Sequence, residues 1–296
     1  MTRLYQITIK ILFFAMAFWG VERFCHHQTA GFSISKISSS FFPDHQFPDL
    51  FFSKKQTQVE KILAQPFSYL GKGAQAFAFL SQDGEVVIKV LRQDHVRAPF
   101  WVDIGNVLPF FKTDAREKKM QKEARHQRLM TSYQIAFDKL CSETGLIYLH
   151  LSSNSELKNT LTLVDRLGIA HSIDPNTLQF ALQKKAILVY PQIEAWMREG
   201  RLQDAKKGIS SLIDFFKGRF KKGIFDKDPD LSTNFGFVDL QPIQIDLGRF
   251  RMIDKKNESL NEREEMIKIF ASFQGWLDLH HPTLRAHLQE ELAALP

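Results

Sequence analysis

The stretch YLGKGAQAFAF, residues 69–79, places two glycines one residue apart directly after a short apolar run. Apolar runs on both sides of these glycines alternate with turn residues, which is the pattern of short consecutive strands. The sequence therefore predicts three antiparallel strands, at Phe67–Leu70, Ala76–Leu80 and Val86–Leu91. The segment QDGE, Gln82–Glu85, predicts the hairpin turn between the second and third of them.

The glycine turn joins two predicted strands, and this limits the ligands that it can serve. A dinucleotide-binding turn and a P-loop both lie between a strand and a helix, so neither class fits Gly71 and Gly73. A glycine-rich hairpin can instead fold over phosphates, because missing side chains let backbone N–H groups approach the oxygens. Lys89 is the single charge in the run VVIKVL, so its side chain is expected to point to a cleft or to solvent.

Composition is that of a globular protein. The chain has 296 residues, 44% of them hydrophobic and 24% charged, which is enough for a full core in one domain, arranged in one body or in two lobes. The net charge of +6 is spread over clusters such as REKKMQKEARHQR that also contain glutamates, so they predict a solvated helix face and no nucleic-acid partner. Cys25 and Cys141 match neither a metal-ligand spacing nor a disulfide framework.

Residues 1–25 form a separate apolar element. An uninterrupted apolar run covers residues 11–21, with Lys10 before it and Glu22 after it. The run is shorter than the roughly 20 residues of a full span, but extended back to Leu4 it predicts a marginal single-pass anchor and a membrane location, with no orientation fixed by the flanking charges. A cleaved signal peptide and a buried globular helix are the alternatives. Residues 26–60, with several serines and prolines, predict an irregular linker.

A second group of polar residues lies in the segment GIFDKDPDLSTNFGFVDLQPIQIDLGRF, residues 223–250. It contains a set of carboxylate and amide side chains, Asp226, Asp228, Asp230, Asn234 and Asp246. Such oxygens on neighbouring loops are typical of a hard-cation site, and Mg²⁺ with phosphates is the usual occupant. A calcium EF-hand is excluded, because Leu231 and Phe237 occupy the positions of its glycine and its last glutamate.

The segments between these two groups alternate between helical and extended patterns. The segment TDAREKKMQKEARHQRLMTSYQIAFDKL predicts a long helix with Asp114 as its N-cap. The runs GLIYLHL, TLTLV and AILVYPQI predict strands, and DAKKGISSLIDFFKGRF predicts an amphipathic helix before the acidic segment. Two further helical patterns, NEREEMIKIFASFQGWLDLHH and TLRAHLQEELAAL, end the sequence.

Taken in order, these motifs resemble those of the protein-kinase-like superfamily. GKGAQAFA resembles the glycine-rich loop G-x-G-x-x-G/A-x-V, and VVIK resembles V-A-I-K. DKDPDLSTN resembles the catalytic loop H-R-D-x-x-x-x-N, and IDLG resembles D-F-G. The residues that correspond to the family's functional positions are Gly71, Gly73, Ala76, Lys89, Asp228, Asn234 and Asp246.

The resemblance implies a two-lobed α+β fold, with a β-rich N-lobe over residues 61–192 and an α-rich, short C-lobe over residues 193–296. It also implies ATP and Mg²⁺ as cofactors and an unidentified hydroxyl compound as acceptor. In the N-lobe, Lys89 would hold the α- and β-phosphates and pair with Glu123, with Glu117 as the alternative, and Tyr190 would lie in the hinge that receives adenine. In the C-lobe, the implied metal ligands are Asn234 and Asp246, and the base is Asp228.

The departures from the family pattern bear on the activity. Asp226 and Lys227 replace the histidine and arginine of H-R-D, and the interval from Asp228 to Asn234 is one residue longer than the pattern, so Asp230 competes for the role of base. Leu247 replaces the phenylalanine of D-F-G, no A-P-E motif follows, and only about fifty residues remain after Asp246. These features favour an atypical or small-molecule kinase. A pseudokinase that binds nucleotide or acts as a scaffold is the alternative, and an unrelated structural protein is a third.

Overall fold

The structure is a computed structural model that describes residues 2–39, 52–94, 112–151, 157–253 and 261–295. Its α-helices are α1 (Thr2–Gln28), α2 (Ile34–Ile37), α3 (Phe52–Leu63), α4 (Lys112–Lys139), α5 (Cys141–Thr144), α6 (Val189–Arg198), α7 (Leu202–Lys221), α8 (Glu262–His280) and α9 (Pro282–Ala293). The strands are β1 (Phe67–Lys72), β2 (Ala76–Ser81), β3 (Val86–Leu91), β4 (Leu146–His150), β5 (Leu161–Val164), β6 (Ala170–Ile173), β7 (Phe180–Lys184), β8 (Ile187–Leu188), β9 (Ile224–Asp226), β10 (Phe235–Val238), β11 (Gln241–Gln244) and β12 (Phe250–Met252). The fold is therefore α+β.

The chain forms two compact units, each built from two stretches of sequence. Unit 1 comprises Met1–His95 and His150–Phe180, and unit 2 comprises Val96–Leu149 and Ala181–Pro296. The second stretch of unit 1 belongs with the first because β5 pairs with β1. The predicted boundary between the two lobes lies after residue 192, and this division stays a prediction. The long helix α4, which precedes that boundary, belongs to the same compact unit as the acidic segment.

The sheet of unit 1 confirms the three predicted strands. Its strands follow one another in the order β3-β2-β1-β5-β6. β2 is antiparallel to both β1 and β3, with Phe79 opposite Tyr69 on one side and Ile88 on the other. The pairing of β1 with β5 is parallel, and this makes the sheet mixed. Gly84 closes the predicted Gln82–Glu85 turn with a φ of +78°, a conformation that glycine adopts without steric cost.

One face of this sheet carries the core of unit 1. Phe77 and Phe79 alternate with smaller residues along β2 and are fully buried, as expected for a strand with one covered face. Phe32 packs edge-on against both rings, with centroid distances of 5.3 and 5.4 Å. Ile37 of α2 is also fully buried, so part of the predicted linker supplies core residues. Residues 40–51 of that linker lie outside the described residues.

The N-terminal element is helical, but the prediction of a transmembrane anchor is wrong. α1 exposes its apolar side chains on all sides, and Phe14, Phe18 and Trp19 are 62–75% exposed. Among the residues that the structure describes, no helix is long and apolar enough to span a membrane. The physical reason is that the apolar run stops at Lys10 on one side and at Glu22 on the other. The predicted membrane location is wrong for the same reason.

Unit 2 is organised around α7. Apolar residues recur along this helix at the three- and four-residue spacing that gives a helix one apolar face. The fully buried ones are Ala205, Ile209, Leu212, Ile213 and Phe216. This face packs with apolar residues of α6, α8 and α9 in one continuous core. The unit also contains two small sheets, one in the order β11-β10-β8 and one that pairs β12 with β9, and most of the strand pair β4-β7.

Two predicted boundaries in unit 2 differ from the structure. α4 begins at Lys112, so Asp114 lies inside the helix and is not its N-cap. In the run AILVYPQI only Ile187–Leu188 are strand, and α6 begins at Val189. The apolar run is compatible with either conformation, and the buried Val189, Ile193 and Trp196 give α6 the spacing of a helix.

The stability of unit 1 is expected to depend on the protonation of His150. This residue is 1% exposed and packs against Phe180, and burial lowers its pKa from about 6.5 to about 4. Because the folded state holds the neutral imidazole, the stabilisation is complete above the unfolded pKa of about 6.5 and is lost as the pH falls toward 4. Between pH 7 and pH 5 this group should therefore remove about 2 kcal/mol from the free energy of unfolding.

The measurement is urea unfolding of the wild type and of His150→Gln at both pH values. The variant cannot titrate at this position, so its loss between pH 7 and pH 5 should be smaller by about the same 2 kcal/mol. Equal pH dependence in the two proteins would show that His150 is not held neutral in the folded state.

Gly236 in β10 is expected to tolerate no side chain. A methyl group there would lie 2.6 Å from the carbonyl oxygen of Ile187 and 2.9 Å from Cβ of Ala186. Since β8 pairs directly with β10 at this position, Gly236→Ala should lower the free energy of unfolding by about 1–3 kcal/mol. The matched control is Gly218→Ala in α7, where the added methyl group meets nothing within 4 Å.

The control substitution should raise the free energy of unfolding by about 0.5–1 kcal/mol, because alanine loses less backbone entropy than glycine in a helix. Chemical denaturation of both variants measures the two effects. A Gly236→Ala protein as stable as the Gly218→Ala protein would contradict the close packing of β8 on β10.

Candidate functional site

The acidic residues singled out in the sequence lie mainly in one loop of unit 2, between β9 and β10. Asp226 is the last residue of β9, and Asp228, Asp230 and Asn234 follow in the loop. The loop is closed from within, because the Asn234 side-chain amide donates to the Asp228 carbonyl oxygen over 2.8 Å. The Asn234 backbone N–H donates to the Asp230 carbonyl oxygen over 2.9 Å. These two hydrogen bonds fix the position of Asn234 relative to Asp228 and Asp230.

The structure brings Asn234 and Asp246 together. The Asn234 carbonyl oxygen accepts from the backbone N–H of Ile245 at 2.8 Å and from that of Asp246 at 3.5 Å. Asp246 follows β11, which pairs with β10 directly after Asn234. One carboxylate oxygen of Asp246 accepts from the Gly248 N–H over 3.0 Å. The two residues predicted as metal ligands are therefore neighbours at the open end of the β10–β11 hairpin, twelve residues apart in sequence.

The site offers few protein ligands to a metal ion. Within the described part of the chain, no group of three or more histidine, cysteine, aspartate or glutamate side chains is placed to hold a metal. Mg²⁺ usually takes one or two oxygen ligands from a protein and the others from water and phosphates, and the side chains of Asn234 and Asp246 carry oxygens of this type. The contact that joins the two residues is made by backbone atoms, so their role as metal ligands stays a prediction. A cation that needs a complete protein cage does not fit.

Asp228 and Asp230 differ in how their carboxylates are used. The Asp230 side chain accepts from the Ser232 N–H at 2.8 Å and from the hydroxyl groups of Ser232 and Thr233 at 2.7 and 3.2 Å. Burial acts to raise the pKa of Asp230, but these hydrogen bonds outweigh it and lower the pKa. The Asp228 carboxylate is about half exposed and lies 3.7 Å from Nε of Arg249.

A buried polar network lies beneath the loop. Asp226 is 2% exposed, and one of its oxygens accepts from the Asp228 backbone N–H at 3.0 Å. Its other oxygen accepts from the Gln244 amide and lies 3.9 Å from a guanidinium nitrogen of Arg219. The same guanidinium donates to Gln244 at 2.8 Å. Burial raises the pKa of Asp226, opposed by Arg219, and burial lowers the pKa of Arg219 to about 10.

Arg219 and Gln244 were not predicted as site residues, although their partner Asp226 was singled out from the sequence. A signal was available, because Arg219 lies three residues after Phe216 on the apolar face of α7, where a charge needs a partner. It lies over the Phe216 ring, 4.6 Å from the centroid. Gln183 also joins the network, since its amide donates to the Gln244 carbonyl oxygen at 2.9 Å. Its place on the buried strand β7 gave no comparable signal.

A serine of helix α4 forms hydrogen bonds with the backbone of the segment that follows Asp246. The buried Ser132 hydroxyl donates to the Leu247 carbonyl oxygen at 2.5 Å and accepts from the Phe250 N–H at 2.7 Å. Tyr133, next to it, is 2% exposed, and burial raises its pKa above the usual value, with a further contribution from the Asp246 charge. Tyr133 therefore stays neutral close to that carboxylate.

The remaining predicted site residues in unit 2 are distributed over two helices. Glu117 and Glu123 are exposed on α4, and their pairing with Lys89 stays a prediction. Tyr190 lies in the first turn of α6, stacked on Trp276 at a centroid distance of 4.7 Å. Burial, with a smaller contribution from Asp230, raises the pKa of Tyr190. Its role in adenine binding is likewise a prediction that the structure does not test.

The other predicted residues belong to unit 1. Lys89 lies on β3 opposite Ala78 and is partly exposed. The glycine turn is held by a bond from the Gly73 N–H to the Ala76 carbonyl oxygen, 2.9 Å long. Gly71 and Gly73 do not have positive φ values. A methyl group would meet nothing within 4 Å at Gly71 and only the Ala76 oxygen, at 3.6 Å, at Gly73. Within the described residues packing therefore leaves room for a side chain at both positions, and Gly71 lies in β1 at an irregularity of its pairing with β2, where glycine is common.

The bonds of Ser132 predict a measurable contribution to stability. Ser132→Ala leaves the Leu247 carbonyl and the Phe250 N–H buried without this partner, so the free energy of unfolding should fall by about 1–3 kcal/mol. Thr131→Ala is the control, because Thr131 is exposed on the same helix and bonds only within it. That substitution should change the free energy by less than about 0.5 kcal/mol. Thermal and urea unfolding measure both, and equal effects would contradict the fastening role.

Comparison with known proteins places the chain in no family, since no protein-family model and no curated protein matches it. Among solved structures it is similar to WbdD in a high-resolution (2.2 Å) crystal structure, with a TM-score of 0.38 and 12% identity over 77% of this chain and 46% of that one. WbdD with the kinase inhibitor LY294002 gives a TM-score of 0.39 and 12% identity over the same shares. The Rv3197–erythromycin complex from Mycobacterium tuberculosis gives a TM-score of 0.32 and 13% identity, and the match covers 78% of this chain and 60% of that one. The chain thus spans less than two thirds of these proteins, and likenesses this slight carry no argument about its activity.

Proposed function

We propose that this protein is an atypical kinase-like phosphotransferase that uses ATP and Mg²⁺. The observation that carries the proposal is the juxtaposition of Asn234 and Asp246 by backbone hydrogen bonds, next to the loop that holds Asp228. Phosphoryl transfer needs an amide oxygen and a carboxylate to bind the metal and a second carboxylate to orient the acceptor. Asn234, Asp246 and Asp228 carry these groups. The order of the motifs along the sequence gives independent support.

The metal would be held by Asn234 and Asp246. When bound, Mg²⁺ supplies charge neutralisation for the transferred phosphate group. Asp246 has one carboxylate oxygen engaged by the Gly248 N–H, so its orientation is fixed while the second oxygen remains as a ligand. The neutral Tyr133 phenol beside it adds no competing charge.

Asp228 is the better of the two candidate bases. The Asp230 carboxylate already accepts three hydrogen bonds from its own loop, and these lower its pKa and its basicity. Asp228 instead has its backbone held from both sides, through its N–H by Asp226 and through its carbonyl by Asn234, while its carboxylate is half exposed. It would orient the acceptor hydroxyl and accept its proton.

The glycine turn of unit 1 fits a role in phosphate binding. At Gly73 a side chain would meet only the Ala76 oxygen among the described residues and φ is not positive, so a bare backbone at this turn suits the close approach of a phosphate. Gly71 lies at an irregularity of the β1–β2 pairing, which already favours glycine. Lys89, partly exposed on β3, would hold the phosphates electrostatically, and Glu123, or Glu117 in its place, would orient it. An unidentified hydroxyl compound would be the acceptor.

A pseudokinase is the second candidate, and one observation favours it. Arg249 lies 3.7 Å from the Asp228 carboxylate, so the guanidinium competes with an acceptor hydroxyl for this side chain. Together with the altered H-R-D sequence, this contact suits a domain that binds nucleotide without transferring phosphate.

The test is ATP binding and ATP consumption by the wild type and by Asp246→Asn. The substitution keeps the shape of the side chain and removes the charge that the metal needs, so phosphotransfer should fall by at least about a hundredfold at unchanged thermal stability. Lys89→Ala should weaken transfer comparably through phosphate positioning. The matched control is Asp239→Asn on the exposed β10–β11 turn, which should leave both binding and turnover unchanged.

Two results separate the candidate functions. Thermal stabilisation by ATP and Mg²⁺ without turnover, over a panel of hydroxyl acceptors, supports the pseudokinase. Turnover that is indifferent to Asp246→Asn, to Lys89→Ala and to chelation of magnesium would show that these residues do not form the catalytic site.

A further inference from the structure

A polar groove on unit 2 lies apart from the residues assigned to phosphotransfer. It has a volume of about 530 Å³ and is bounded by α7, by His287 of α9 and by Leu240 of the β10–β11 turn. The residues of α7 that line it share one stripe of the helix surface, at spacings of three and four, which places their side chains side by side. They are Gln203, Lys206, Lys207, Ser210, Ser211 and Asp214.

The wall between α7 and α9 is fixed by hydrogen bonds. The Ser210 hydroxyl donates to a Glu291 carboxylate oxygen at 2.6 Å, and its oxygen lies 3.1 Å from Nε2 of His287. Nε2 of His287 also lies 3.7 Å from the same carboxylate oxygen. The negative charge of Glu291 is thus engaged by these two side chains and is not presented to the groove. The wall is a preformed surface.

One end of the groove is cationic. Lys206 and Lys207 occupy the same turn of α7, and within the residues described neither ammonium group has a hydrogen-bond or ion-pair partner. The Gln203 amide lies one turn before them and adds neutral donors. Two uncompensated ammonium groups beside amide donors suit an anion with several acceptor oxygens, and a phosphate group has this chemistry.

The other end of the groove suits hydroxyl groups. Asp214 is exposed. One of its carboxylate oxygens lies 3.4 Å from the ammonium group of Lys217 on the same helix, which is a long contact. Ser211 lies between the lysines and Asp214, and it can both donate and accept. The distance from Lys207 to Asp214 is about 10 Å along the helix axis. Leu240 provides an apolar wall that suits the C–H face of a polyol.

We propose that this groove binds a small phosphate monoester that carries several hydroxyl groups, of the sugar-phosphate type. The phosphate lies at Lys206 and Lys207, and the hydroxyl groups reach Ser211 and Asp214. The carboxylate of Asp214 repels a second anionic group, so a bisphosphate is disfavoured. The proposal does not depend on the phosphotransferase assignment, because none of these residues belongs to that candidate site.

The experiment is isothermal titration calorimetry on the full chain without ATP or magnesium. Glucose 6-phosphate is the probe, with glucose and inorganic phosphate as separate titrants. We expect glucose 6-phosphate to bind, glucose not to bind, and phosphate to bind at least about tenfold more weakly. The double variant Lys206→Gln, Lys207→Gln should raise the Kd for glucose 6-phosphate at least about tenfold, which corresponds to about 1.4 kcal/mol.

Three further variants locate the binding. Lys221→Gln, on the same helix but outside the groove, should leave the Kd unchanged. Asp214→Asn should weaken glucose 6-phosphate but not phosphate, and Asp246→Asn should change neither, which separates the groove from the candidate catalytic site. All variants are compared at matched thermal stability.

Several outcomes overturn the proposal. It fails if glucose 6-phosphate does not bind, if the double lysine variant binds it as well as the Lys221→Gln control does, or if Asp246→Asn abolishes binding. Equal affinity for phosphate and glucose 6-phosphate, insensitive to Asp214→Asn, overturns the assignment of the hydroxyl end.

Discussion

The buried pairing of Arg219 with Asp226 is the constraint on which the candidate site depends. Removing either partner would leave the other charged and unpaired in the core, at a cost of about 3–5 kcal/mol. Gln244 bonds to both, so β11, β9 and α7 must all be in place for the charges to be met. The remaining oxygen of Asp226 holds the Asp228 N–H. The position of the candidate base Asp228 therefore depends on the packing of α7, because α7 carries Arg219.

The other charges of the loop are each engaged in a different way. Asp230 is satisfied by the hydroxyl and N–H groups of its own loop, Asp228 faces Arg249 at the surface, and Asp246 is oriented by Gly248 beside the neutral Tyr133. Repulsion among so many carboxylates is limited because each has its own partner. Asp246 and Asn234, which contact each other through their backbones, are the residues that we propose as ligands of a hard cation. It is this pair, and not the number of acidic residues, that supports the proposed phosphotransfer.

Prediction from the sequence succeeded where the signal is local. The three strands around the glycine turn follow from alternation over five or six residues, and the structure confirms all three. It failed where the outcome depends on length or on context. The apolar run at the N-terminus is helical but too short, and the run AILVYPQI is mostly helix because Ile193 and Trp196 find a core on one face of α6. Short apolar runs have no period that separates helix from strand.

The sequence by itself determined which residues we propose for phosphotransfer and their order along the chain: the glycine turn, Lys89, the aspartates, Asn234 and Gly248 after Asp246. Asn234 and Asp246 lie at the two ends of the β10–β11 hairpin, so their proximity is local. Only the tertiary structure decided that the Asp230 carboxylate accepts its hydrogen bonds within its own loop and that Asp226 is buried against Arg219. The reason is that spacing along a chain reports the backbone conformation of a few residues. Strand pairing and the desolvation of charges arise from residues that are remote in sequence, such as Ser132 and Phe250, and become visible only when the chain is folded.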